Sequence, residues 1–189
     1  MLEIALEFLR HQLNDFVAAR TGSVSVEVKL ARVVDDAGKY AIPPDSLGIS
    51  LINVEEERTL REQLPTHTYV DGRHLVQEPP LKLNLHVIVA ANFQHYDEAL
   101  KHLSSVLTYF QSHPGFTPAR HPSLDPRIEK LTVELQTLGY EQLNQVWAFI
   151  GGKQLPSAIY KVRMVILQDL EPTAVQPPVR AIGAALSTR

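Results

Sequence analysis

The sequence predicts an α+β fold: a mixed or antiparallel sheet of about five strands with about three helices packed on it. Three observations carry this. Leu81, Leu83, Leu85, Val87 and Val89 alternate with more polar residues at the period of a strand. Residues 2–17, 96–111 and 140–150 each show a one-sided apolar stripe at helical spacing. The order of elements, helix, three strands, helix, strand, helix, strand, mixes the two types without a strict β–α repeat, which implies a sheet with helices against one face.

The first helix places Leu2, Ala5, Leu6, Leu9, Leu13, Phe16 and Val17 at three- and four-residue steps and ends at Thr21-Gly22. Val24, Val26, Val28 and Leu30 then alternate with polar residues as a strand with one wet face. Gly48–Val54 is apolar on both faces and reads as a strand covered on two sides. Residues 55–80 read as a long loop, with a short hairpin at Asp71-Gly72. Ile88 and Ala90 make the second half of the strand from Leu81 apolar on both faces. The helix from Tyr96 opens with Asp97 and Glu98, where the helix dipole favours acids, and stops at His113-Pro114-Gly115.

Residues 131–135 are a half-exposed strand. Leu143, Trp147 and Ile150 form the stripe of the third helix, closed by Gly151-Gly152. The last strand, 158–167, is expected to set Tyr160, Val162, Met164 and Ile166 on one side and Lys161 and Arg163 on the other. This divides the chain into a body, 1–168, and an extended C-terminal tail, 169–189, whose prolines and weak periodicity do not support folding alone.

With 189 residues, 44% of them apolar, and 18 Lys+Arg against 21 Asp+Glu, the chain has an ordinary globular composition and a formal charge of −3. Basic residues are scattered, so nucleic acid is not an expected partner. No cysteine is present, which excludes disulfides, thiolate metal sites and cysteine nucleophiles. Glu3 and Glu7 stand where a secretory signal carries positive charge, and no apolar run is long enough to span a membrane.

The chemistry-bearing residues do not assemble into a recognisable catalytic pattern. His95 and His102 are seven residues apart, about 10 Å along a helix, too far to share one zinc ion. His67 and His74 stand in the loop without nearby ligands, and His86 belongs to the polar face of its strand. No G-x-S-x-G elbow surrounds Ser50, Ser104, Ser105 or Ser157. Gly151-Gly152-Lys153 follows a helix, whereas a phosphate-binding loop precedes one. No catalytic, cofactor-binding or metal-binding residue is therefore assigned, and a small hydrolase or metal-dependent enzyme is disfavoured. One unusual segment remains, the charge run from Asn53 to Glu62. It reads either as a solvated face with weak local ion pairs or as a polar rim that pairs across subunits, with Glu55, Glu56, Arg58 and Arg61 as candidates.

The segments LEFLRHQLNDF, ISLINVEEERTLR, PPLKLNLHVIVAANFQHYDEALKHLSSVLTYFQ, FTP and IEKLTVELQTLGYEQLNQVWAFIGGKQLPSAIYKVRMV together resemble the tail-terminator, or cap, protein of extracellular contractile injection systems, the phage-tail-like particles of the antifeeding-prophage kind. The resemblance covers residues 1–168 in order. It implies a phage tail-terminator-like fold and a hexameric ring at the particle end distal to the baseplate, ending growth of inner tube and sheath, without enzymatic activity or cofactor. Homo-oligomerisation and contacts with sheath and inner-tube proteins follow from it, as does assembly in the cytoplasm before release in a particle. It further implies that the tail, through Arg180, Ile182 and Leu186, adds to a sheath subunit by strand augmentation. Another ring or adaptor component, such as a baseplate or tube-initiating protein, is the alternative within the same class.

Overall fold

The structure, a computed structural model, describes residues 1–21, 26–57, 66–70, 73–77, 79–167 and 174–176. In chain order the elements are α1 (Leu2–Thr21), β1 (Val28–Leu30), β2 (Ser46–Glu56), β3 (Thr66–Val70), β4 (Arg73–Gln77), β5 (Leu81–Asn92), α2 (Tyr96–Ser112), β6 (Gly115–Phe116), β7 (Leu131–Leu135), α3 (Tyr140–Ile150), β8 (Ser157–Leu167) and β9 (Ala174–Gln176). Six strands form the main sheet in the order β1-β2-β5-β8-β7-β6. Its β1–β2 pair is parallel and the others are antiparallel, so the sheet is mixed, as expected.

The helices do not share one face. Packed with α1 and α2 are Leu83, Leu85, Val87, Val89 and Ala91, whereas Ile88, Ala90 and Ile159 form a second core with Trp147 of α3. The expectation of a single helical layer is therefore corrected. Its physical reason was already present in the second half of β5: Ile88 and Ala90 are apolar there beside Val87, Val89 and Ala91 on the other face, and a one-layer fold would leave Ile88 and Ala90 in water.

Two irregularities set the phase of the strands. Opposite Leu85 stands Val162 but opposite Leu83 stands Val165, so two residues of β8 face one of β5. After this bulge Val165, fully buried, occupies the core side that simple alternation assigns to residues 164 and 166, and Ile166 is only half-buried. On β2 the register skips at Ile52: Leu51 faces Val87 and Asn53 faces His86. Without that extra residue Glu55 would point into the α1/α2 core. With it, Glu55 pairs with Asn84 and emerges on the α3 side.

Local signals explain the ends of α3. The side-chain oxygen of Gln142 accepts the backbone N–H of Gly139 at 3.2 Å, and Gly151 closes the helix at φ 80, a left-handed conformation that a side chain would strain. Closer to the sheet, Gly48 lies under Ile42, which fills the space a Cβ would need.

The expected hairpin is present as β3 and β4, paired from Thr66 opposite Gln77 to Val70 opposite Arg73. Within the segment read as an extended tail, β9 pairs antiparallel with β4, making a second, three-stranded sheet, β3-β4-β9. The beginning of the first expected strand, residues 24 and 25, lies outside the described residues.

Candidate assembly surface

The bulge in β2 brings together groups that are far apart in sequence. Lys161 Nζ donates to the Glu55 carboxylate at 2.7 Å, and His86 Nε2 lies 3.1 Å from the same oxygen. One strand further, Arg163 and Glu134 form an ion pair at 3.1 Å. Glu134 is directly opposite Lys161, and Lys161 opposite His86, so the charges make a band across β2, β5, β8 and β7 on the α3 side.

The hydrogen bond from Lys161, and then that from His86, holds the Glu55 carboxyl at about 2, well below the usual carboxylate range. A carboxylate this firmly ionised is neither a general acid nor a strong base near neutral pH. Beside the band is a cavity of about 590 Å³ between α3 and the sheet, with Ile52, Asn53, His86, Gln142, Val146 and Phe149 among its walls. Phe149 is 64% exposed at its rim.

Of the subunit-contact candidates, Glu55 is bound within its own chain, and Glu56 is the last residue of β2, opposite Leu83. Glu57 accepts a hydrogen bond from Asn84 at 3.0 Å. Arg58 and Arg61, with the sheath-contact candidates Arg180, Ile182 and Leu186, lie outside the described residues. Periodicity alone sets Lys161 and His86 on polar faces. Nothing in the sequence identified them as partners of a carboxylate 106 and 31 residues away.

Other groups weighed as chemistry have local roles. His102 is 2% exposed, stacked on Phe93 at 4.8 Å, and its burial lowers its affinity for a proton despite Glu98 nearby. His95 is the residue that precedes α2. Ser104 and Ser105 donate to carbonyls of their own helix, and Ser50 donates to the Ala31 carbonyl. Among the described residues no three His, Asp or Glu side chains are grouped to hold a metal ion, and no helix is long and apolar enough to cross a membrane.

A six-stranded mixed sheet with a helix-covered core on each face defines an α+β domain. The chain belongs to the Pvc16 N-terminal domain family, whose model matches residues 5–181. That match runs beyond residue 168 and takes in β9. No curated protein matches the chain. Among solved structures it is similar to the PVC sheath/tube terminator in the extended state of an extracellular contractile injection system. The TM-score is 0.64 at 13% identity, over 100% of this chain and 64% of that one. It is also similar to the anti-feeding prophage cap, a tube terminating cap, with TM-score 0.59 and 14% identity over 94% of this chain and 60% of that one. The chain thus spans somewhat under two thirds of the length of both.

Proposed function

We propose that this protein is a tail terminator of a contractile injection particle, a structural cap that ends polymerisation of the inner tube and sheath. The observation behind this reading is the likeness of the whole chain to a sheath/tube terminator, together with membership of the Pvc16 N-terminal domain family. A non-enzymatic role agrees with the local engagement of the serines and of His102, and with the ionised state of Glu55.

In this reading copies of the chain form a ring, hexameric in the particle, on the end distal to the baseplate. The acidic end of β2 and the run after it, Glu55, Glu56, Arg58 and Arg61, contribute to contacts between copies. The tail, through Arg180, Ile182 and Leu186, reaches a sheath subunit. Assembly takes place in the cytoplasm, and the cap leaves with the particle.

The test is the length of particles assembled with and without the protein. A terminator gives ends closed at a defined length, and its removal gives tubes and sheaths of irregular length or uncoupled from each other. Unchanged particles in its absence would remove the reading. Arg58→Glu combined with Arg61→Glu should impair assembly while leaving the circular dichroism of the chain unaltered, and assembly indifferent to both the substitutions and salt would return the run to a solvated face.

A further inference from the structure

Basic side chains of this protein commonly have an acid beside them. Arg10, Arg32, Lys101, Arg127, Lys161 and Arg163 each have a carboxylate within 3.4 Å. Arg120 and Lys130 are exposed, have no ion-pair partner among the described residues, and share one cleft. That cleft has a volume of about 500 Å³, and its wall adds His113, Thr117 and His121 but no acid. Of the acids closest in sequence, Asp125 is held by Arg127 at 2.7 Å and Glu129 is not part of the wall.

The wall is held in place by its own chain. The amides of Arg120 and His121 donate to the Thr117 carbonyl and that of Leu124 to the His121 carbonyl, while Leu124 and Ile128 anchor the segment in the core. The His121 ring is edge-on to Phe116 at 5.0 Å and to Phe8 at 6.0 Å, and its Nδ1 is buried without a hydrogen-bond partner. Lys130 runs beside Gly115, where a Cβ would stand 3.8 Å from its Cε. A wall ordered in advance lowers the entropic cost of holding an anion.

Across Pro114, which lines both, the cleft adjoins an apolar cavity of about 460 Å³ between α2 and the sheet. Leu107 and Leu135 in the wall of this cavity are 37% and 54% exposed. The two halves together select the occupant. A free phosphate would use the basic half alone and leave the leucines in water. Nucleic acid would need open aromatic faces on which to stack its bases, and the rings here, Phe110 and Tyr160, are buried. The end of this chain brings Arg180 and Arg189 and no acid after Glu171, so its charge does not match. A peptide that carries both carboxylates and bulky apolar side chains matches both halves.

We infer that this bipartite cleft docks an extended acidic segment of a partner protein. Its carboxylates meet Arg120 and Lys130, and an apolar side chain about two to four residues away, at ~3.3 Å per residue, enters the cavity between α2 and the sheet. The contact is made through side chains and leaves the pairing of β6 with β7 as it is. It goes beyond the terminator reading and stands on the cleft alone.

The probe is a fluorescein-labelled, end-blocked peptide of alternating glutamate and leucine, added to the full chain and followed by fluorescence anisotropy. Replacing its glutamates by glutamine, or its leucines by serine, should each weaken binding at least about fivefold. Arg120→Glu with Lys130→Glu, verified by circular dichroism, should weaken it at least about tenfold, and the milder Arg120→Gln with Lys130→Gln at least about threefold. Leu135→Ser should cost about threefold or more. Lys39→Glu with Lys153→Glu, an equal change of charge at exposed lysines elsewhere, should leave binding within about twofold. No binding, binding indifferent to Arg120 and Lys130, or binding weakened as much by the Lys39 and Lys153 reversal would overturn the inference. Displacement by inorganic phosphate as readily as by unlabelled peptide would overturn it too, reducing the cleft to a small-anion site. Because the measurement uses the chain alone, its failure leaves the particle-length test untouched, and failure of that test leaves this one standing.

Discussion

Replacing Trp147 with alanine probes the second core, the one the sequence did not separate from the first. The indole is 6% exposed and packs with Val33, Ile42, Ile88, Ala90 and Ile159 between α3 and the sheet. Truncating a buried Trp costs roughly 3–5 kcal/mol, through lost apolar transfer and the cavity left behind. For a chain of this size, with about 2–4 °C of melting temperature per kcal/mol, that corresponds to a drop of roughly 6–20 °C. The indole Nε1 is buried without a hydrogen-bond partner, so part of the native stabilisation is already offset by desolvation of that N–H. Trp147→Phe, which keeps an aromatic ring and removes the unpaired donor, should accordingly lose less than half as much. Urea unfolding followed by far-ultraviolet circular dichroism measures both, since the only Trp of the chain is the residue removed. A loss below about 1 kcal/mol for the alanine variant would refute the buried placement and with it the packing of α3 on the sheet.

Three further outcomes are expected. In Lys161→Ala the Glu55 carboxyl should rise from about 2 towards its ordinary value, as read by NMR titration. Because the folded-state pKa is depressed, this pair's contribution is fully present above about pH 4.5 and is lost as pH falls towards 2. It is under about 1 kcal/mol for a carboxylate half exposed to water, and a Glu55 titration unmoved by the substitution would refute the pairing. Gly48→Ala should destabilise by about 1–3 kcal/mol in urea unfolding, since the new methyl meets Ile42, and an unchanged midpoint would show that Ile42 has room to move. Removing residues 177–189 retains β9 and should leave thermal unfolding nearly unchanged while weakening capping of sheathed particles; capping at full strength without them would exclude the sheath role of the tail.

Much of the local structure was legible because it depends on neighbours in sequence. The spans of β7 and α3 follow from periodicity and turn residues with no tertiary information, and the hairpin follows from Asp71-Gly72 between two short runs. The double-sided apolar character of the second half of β5 is legible too, but which helix covers each face is not. The site was legible only in part. Glu55 stood out through charge density, and Lys161, Arg163 and His86 were placed on polar faces, yet their meeting depends on strand order and on an extra residue in β2.

The sequence by itself determined the three helices, most of β2, β5, β7 and β8, and that the chain resembles a tail terminator, because side-chain periodicity and residue type are properties of consecutive positions. Only the tertiary structure decided that β5 lies between β2 and β8 and that bulges at Ile52 and opposite Asn84 shift the phase of two strands. The physical reason is that alternation with period two identifies a face but not the neighbour beside it. Neighbours are selected by how two cores close simultaneously on the sheet, and one inserted residue exchanges the faces of everything that follows it.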